Sequence, residues 1–542
     1  MIDLRRRSLL KAGVFGAGAL AAPAGAVSLA RGFTHGVASG EPRATSVLLW
    51  TRYVPARGDA APLSFEVAED PGFGRIVARG EAVASADNDY CAKPVATGLS
   101  PDRWYYYRFA SADGARSMGG RTRTLPEGPT KQFRIAAFSC ANKPFGWFNA
   151  YAHAAARNDI DLVVHLGDYV YEYPRGDYPS AAETVAGRAI APAGEMVQLA
   201  DYRARYASYR EDPDLQRLHQ LYPSLNIWDD HETANDAWKD GAQNHQPETE
   251  GSWEARKATA RKAFREWLPM SDEDYSSYDI GDLLTLVRVE TRLVGRDKQL
   301  DLGAAIAGAA DLDTALQAFA NGPLADPKRS MMGAEQEAWV GDKLAASVRA
   351  GKRWQLVAQQ VLMGTLVTSP DASPDWLGGA PSERVRQRFI TGMAAMRAGI
   401  PFNPDSWGGY PAARARLLAQ VQNAGANLVT IAGDSHNAWA FDLANDGKPA
   451  GVEFGTHSVT SPGFESSLRG VAPERLAQSL VAANPELKWC DTSHRGYMAL
   501  TFTPDEMRCD WQLLDTIRER STGVAATKRA TVKRGTQRMT VA

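Results

Sequence analysis

Four apolar runs in this sequence end on side chains that bind metal ions: Cys140, Asp168 with Tyr171 three residues on, Asp229-Asp230-His231-Glu232, and Asp434-Ser435-His436. A phenol beside a carboxylate suits a hard, strongly acidic metal such as ferric iron. Cys140 is either a third donor to that ion or a buried, inert thiol. Asp229-Asp230 is costly to bury unless a cation neutralises it. Asp434 and His436, two positions apart, can each reach a different ion from one loop. Singly, each feature has a plainer reading, such as a strand-end aspartate capping a helix. Together they point to a shared centre.

The elements that must position these groups are short strands. Ile160-Asp-Leu-Val-Val-His-Leu-Gly-Asp168 is apolar on both faces, as a buried parallel strand is, and Gly167 lets the backbone turn so that Asp168 stands at the carboxyl end. Further strands are expected to end at Cys140, Asp229, Arg288, Ala358 and Ala432. Ligands bind at the carboxyl edge of such sheets, and neighbouring strands would gather these side chains on one side. Helix-length periodic segments at Glu254–Trp267, Gly333–Ala350 and Pro411–Ala424 alternate with the strands, which predicts a layered α/β domain over 129–517. Residues 298–328 and 366–410 read as long insertions that shape a site. Residues 31–128 instead show short alternating runs broken by Gly, Pro, Asp and Asn, the pattern of a small immunoglobulin- or fibronectin-like β-sandwich.

Arg5-Arg6-Arg7 precedes an apolar Gly/Ala-rich run, and Ala24-Gly25-Ala26 offers a cleavage site; residues 1–30 read as a twin-arginine signal peptide. No later window is apolar enough to span a bilayer. A soluble protein exported to the periplasm or the medium is therefore expected, with the twin-arginine machinery as a partner. The net charge of -2 gives no global attraction to nucleic acid. The four cysteines are too few for a disulfide framework, although Cys490 and Cys509 could pair. Residues 518–542 carry seven basic residues and little apolar periodicity, and read as a mobile tail or as a lid over an anionic pocket.

The motifs resemble one family over most of the chain. Phe33-Thr-His-Gly-Val-Ala-Ser-Gly-Glu-Pro42, Phe138-Ser-Cys-Ala-Asn142, His165-Leu-Gly-Asp-Tyr-Val-Tyr171, Trp228-Asp-Asp-His-Glu232, Pro327-Lys-Arg-Ser330 and Gly433-Asp-Ser-His436 are similar to PhoD-type alkaline phosphatases and phosphodiesterases of the calcineurin-like metallophosphoesterase superfamily. The resemblance implies an α/β metallophosphoesterase sandwich behind the N-terminal β-sandwich. It implies Fe3+ held by Cys140, Asp168, Tyr171 and His436, and Ca2+ held by Asp168, Asp230 and Asp434. A second calcium is compatible with it, its ligands unassigned. Asp168 would bridge the ions, and a metal-bridging hydroxide would attack phosphorus. His231, beside Asp230, would serve the leaving group as the second catalytic residue, oriented by Glu232 or Asp229. Asn235, Arg329, Arg292, His457 and Arg495 stand in contexts suited to substrate contact, Asn235 one helical turn after His231. Glu290 and Gln359 depart from the family's usual aspartate and asparagine, which bears on substrate preference.

The expected activity is an exported, monomeric phosphomonoesterase or phosphodiesterase acting on phosphate esters. A phospholipase D-like or nucleotide diesterase is the alternative within that chemistry. A metal- or phosphate-binding envelope protein is the alternative outside it, and it would have no use for His231.

Overall fold

The computed structural model describes residues 30–367 and 371–542, so the predicted signal peptide lies outside the described residues. The described residues form three sheets. The largest runs from Met539–Val541 through Val524–Lys533, Glu506–Leu514 and Gly496–Phe502 to a parallel centre, Phe133–Phe138, Leu162–His165 and Pro223–Asn226, and on to Gly32–Gly40 and Ser46–Val54. A seven-stranded sheet has its own parallel centre in Leu284–Arg288, Trp354–Ala358, Leu428–Ala432 and Lys448–Gly455.

The two large sheets face each other because their central strands are apolar on both sides. Ile135, Val164 and Leu225 from one meet Leu286, Leu356, Ile431 and Phe454 from the other in a single core. The outer faces are apolar too and need covering. Helices Asn149–Ala156, Leu199–Arg210, Pro213–Leu221 and Trp253–Trp267 cover the first sheet. Helices Ala334–Arg349, Pro411–Ala424 and Pro473–Ala483 cover the second. Truncating a filled position between the sheets, Leu356→Ala for instance, should cost about 2–5 kcal/mol. In both sheets the parallel strands run the same way into their loops, which brings four strand ends to one edge of the sandwich.

The N-terminal β-sandwich is present but not separate. Its four-stranded sheet, Ile76–Ser85, Ala60–Ala68, Trp104–Ser111 and Gly120–Arg123, packs Phe65, Val67, Tyr107 and Phe109 against Val37, Val47 and Leu49. Those last residues lie on strands that continue the large sheet, where Ser39 and Gly40 pair with Pro223 and Ser224. Two further expectations are corrected, on the tail and on the cysteines. Most of the basic tail is sheet rather than free chain: Val524–Lys533 pairs along the whole of Glu506–Leu514 and Met539–Val541 adds an edge. Its cations fall mostly on exposed positions, as suits an edge region that must resist pairing with another chain. The predicted insertions carry helices of their own, Leu312–Asn321 and Glu383–Arg397. Cys490 and Cys509 are unpaired, like Cys91 and Cys140. Among the described residues, no helix is long and apolar enough to cross a membrane.

Candidate metal centre

Three of the four strand ends are sharp because the backbone passes through left-handed conformation at a prospective ligand. Cys140, Asp168, Asp434 and His436 have φ of 58°, 54°, 60° and 61°. L-residues adopt this region at a cost of roughly 1–2 kcal/mol each, and its recurrence on four prospective ligands marks strain held at a functional site. The neighbouring glycines are obligatory for another reason. A Cβ on Gly167 would come within 2.4 Å of the Asp229 Cβ, and one on Gly433 within 2.1 Å of the Ser139 hydroxyl. The loops therefore pack backbone against backbone and deliver their side chains to one place.

Three groups of donors come together there: Cys140, Asp168 and His436; Asp168, Asp230 and His231; Asp229, Asp230 and Asp434, with the donor atoms of each group within 4.8 Å of one another. Asp168 and Asp230 are each shared by two groups. The Tyr171 hydroxyl donates to Asp168 Oδ2 at 3.0 Å, lies 3.3 Å from His436 Nε2, and accepts from Ser461 at 2.7 Å. His436 Nδ1 is 2.8 Å from the Pro462 carbonyl, which fixes Nε2 as the free nitrogen. Glu232 is not beside the His231 ring. Its carboxylate accepts from the backbone amides of Asp168 at 3.0 Å and Asp229 at 2.6 Å, and so ties two strand ends together. The group that orients His231 is Glu172, whose Oε2 lies 2.7 Å from His231 Nδ1. The Tyr171 ring stacks on the face of the imidazole, 4.2 Å between centroids.

With only the protein's own charges present, burial pushes the Asp168 and Asp229 carboxyls, the Cys140 thiol and the Tyr171 phenol well above their ordinary values, and nearby carboxylates add to the effect. Burial also lifts Asp434 to about 6 and lowers His436 to about 3. Burial works against charge on Asp230 as well, but Arg292 and His231 outweigh it and hold that carboxyl at about 2. For His231 the desolvation that would lower its pKa is overcome by Asp230, Asp168 and Glu172, which keep it protonated well above its ordinary value. Asp168 Oδ1, Asp229 Oδ2 and Asp230 Oδ1 are buried without a hydrogen-bond partner. Buried acceptors of this kind, beside a thiol and a phenol that would need deprotonation to ligate, fit bound cations well.

Among the residues suggested for substrate contact, Arg292 is wholly buried and pairs with carboxylates: Asp405 at 2.6 Å, Asp434 at 3.0 Å and Asp229. Asn235 lies in a turn rather than a helix and joins the site from behind, its backbone amide 2.8 Å from Glu172 Oε1. Arg329 stacks on Tyr410, 4.6 Å from the ring centroid, and donates to the Lys298 carbonyl. Arg495 pairs with Glu465. His457 is fully buried, neither ring nitrogen having a hydrogen-bond partner. Glu172 and Asp405 escape a reading of the sequence alone. The four-residue spacing from Asp168 is a usable signal for Glu172; Asp405, inside an insertion, carries none.

The sequence comparisons agree with this geometry. Residues 135–511 match the model of the PhoD-like phosphatase family and residues 19–126 that of the PhoD-like phosphatase N-terminal domain. The chain belongs to the PhoD-like phosphatase family. It is 31% identical over 529 residues to alkaline phosphatase D of Bacillus subtilis (strain 168), covering 92% of this chain and 80% of that protein. It is likewise similar to a solved structure described as PhoD, with a TM-score of 0.76 and 28% identity, over 95% of this chain and 92% of the other. This phosphatase is thus a phosphoesterase on the family fold, and its strand-end cluster brings together side chains that could hold metal ions.

Proposed function

We propose that the chain is an exported, metal-dependent alkaline phosphoesterase that hydrolyses phosphomonoesters, phosphodiesters or both. The observation that carries this reading is the sharing of Asp168 between two donor groups, one containing Cys140 and His436 and the other Asp230 and His231. Cys140, Asp168, Tyr171 and His436 would hold Fe3+, since a thiolate, a phenolate, a carboxylate and an imidazole suit that ion. Asp168, Asp230 and Asp434 would hold Ca2+ through oxygen. When bound, the metals would supply Lewis-acid stabilisation of the phosphoryl charge and acidify the attacking water.

The protein's own residues supply the rest. His231 is held through Nδ1 by Glu172, which leaves Nε2 facing the site; in its protonated form the ring would give that proton to the leaving-group oxygen as the ester bond breaks. Glu172 fixes which nitrogen faces the substrate, and the stacked Tyr171 ring prevents the imidazole from tilting away. Glu232 and Ser461 hold the strand ends and the phenol in place. Residues 1–30 would direct export by the twin-arginine route, 31–128 form the N-terminal domain, and the catalytic domain from 129 onwards includes the terminal strands.

The test is chelation followed by add-back with p-nitrophenyl phosphate and bis-p-nitrophenyl phosphate as substrates. Turnover that disappears on chelation and returns only when both iron and calcium are restored supports the reading, and the ratio of the two rates assigns ester preference. Full turnover in thoroughly demetallated protein would rule it out.

A further inference from the structure

Arg292 is an unusual occupant for an acidic cluster prepared for metals. Its side chain is completely buried, and its three nitrogens are all engaged by carboxylates. Nε donates to Asp229 Oδ1, Nη1 to Asp405 Oδ2 at 2.6 Å, and Nη2 to Asp434 Oδ1 at 3.0 Å while lying 3.5 Å from Asp230 Oδ1. Asp229, Asp230 and Asp434 are the same three residues that form the third donor group. The guanidinium is held in place by its own loop. The Glu290 carboxylate accepts from the backbone amides of Arg292 at 2.8 Å, Leu293 at 2.7 Å and Val294 at 2.9 Å, and from the Trp228 indole at 2.8 Å. Arg296 anchors Asp405 from the far side. Four buried carboxylates thus meet two buried guanidinium groups.

We propose that Arg292 is the resident cation of the Asp229–Asp230–Asp434 group: it fills the role a further calcium ion would otherwise take there, and the wild-type protein binds no ion at that group. A divalent ion and a guanidinium compete for the same carboxylate oxygens, and a planar fork with fixed donors is well matched to several carboxylates at once. The guanidinium is covalently attached, is always charged and is weakly hydrated, so it holds the group at any calcium concentration. Calcium is then confined to the Asp168 side of Asp230, where Asp434 would still reach it while its Oδ1 accepts from Arg292. This inference rests on the reading of Asp230 and Asp434 as cation-facing residues.

The experiment compares the full-length wild type with R292Q, R292K and the charge-compensated double variant R292Q/D229N. Calcium bound per chain is measured by equilibrium dialysis with elemental analysis, and Tm is followed against free calcium. R292Q is expected to bind one more calcium ion per chain than the wild type and to gain Tm with calcium in a range where the wild type does not respond. R292K, which keeps the charge, is expected to keep the wild-type count. R292Q with the wild-type calcium count and no calcium-dependent Tm overturns the proposal. If R292Q does not fold at any calcium concentration, the double variant decides. A folded R292Q/D229N with the wild-type calcium count supports charge compensation, and an unfolded one overturns it. Iron content and p-nitrophenyl phosphate turnover of the wild type, measured on the same preparations, report separately on the metal-dependent reading.

Discussion

On one side of Asp230 stand Cys140, Asp168, Tyr171 and His436, and among the described residues no lysine or arginine forms an ion pair with their side chains, Arg205 reaching only the Tyr171 carbonyl. On the other side Asp229, Asp405 and Asp434 surround Arg292. Both sides are built from strand ends of the same two sheets and are equally dry, yet they meet the cost of buried charge differently. The first has neutral donors that become good ligands only when a proton is displaced, so a cation there would come from outside. The second carries its cation in the chain. Asp230, whose carboxyl is held at about 2, belongs to the charged side and faces both.

Removing a donor from the first side should do the most harm. Asp168→Asn is expected to lose iron and to lower kcat/KM by more than about 10^3-fold, since a preorganised charge stabiliser disappears with it; elemental analysis and ester hydrolysis check this together. Next comes His231→Ala, with kcat down about 10^2- to 10^4-fold while iron and calcium stay bound. If the metals left with the imidazole, His231 would be a ligand rather than a proton donor. Glu172→Gln should cost less, about 10- to 100-fold, because an amide can still hold the ring but no longer fixes its protonated state. Its signature is a fall in kcat at unchanged metal content.

The smallest effect is one of pH. In demetallated protein the folded-state pKa values of Asp168, Asp229 and Asp434 are raised, the last to about 6, against an ordinary value near 4. A raised carboxyl favours the folded state fully below its unfolded pKa. That contribution is lost as pH rises from the unfolded value through the folded one, at about 1.4 kcal/mol per pH unit between them. Chelated protein should therefore lose urea resistance between about pH 4 and 6 and beyond, whereas the metal-loaded form should not. Parallel denaturation curves with and without chelator measure the difference.

How much of this can be read from the sequence follows from where the information lies. Buried parallel strands are apolar on both faces, so Leu162–His165 and Leu428–Ala432 stand out, and the prospective ligands follow just after each run stops. That makes Cys140, Asp168, Asp230, Asp434 and His436 visible as one set. The pairing of Arg292 with Asp405 and Asp434 spans 113 and 142 residues, and no local periodicity encodes it. From motif context alone the arginine looks like a substrate contact. Glu232 is misplaced for a related reason: adjacency to His231 suggests a side-chain partner, whereas the turn sends its carboxylate back to the amides of Asp168 and Asp229. The terminal strands mislead in a third way, because Val524–Lys533, next to the sheet edge with Lys528, Arg529 and Lys533, has the composition of a flexible tail.

The central claim is that the Cys140 side of the site takes its cation from outside as ferric iron. Elemental analysis and a visible absorption spectrum of wild-type protein from a host that exports it, set beside Cys140→Ser and Tyr171→Phe, test this most directly. Iron near one per chain is expected, with a charge-transfer band that shifts or vanishes in the variants. Wild-type protein that hydrolyses phosphate esters at full rate without iron, or a band indifferent to both substitutions, would contradict it.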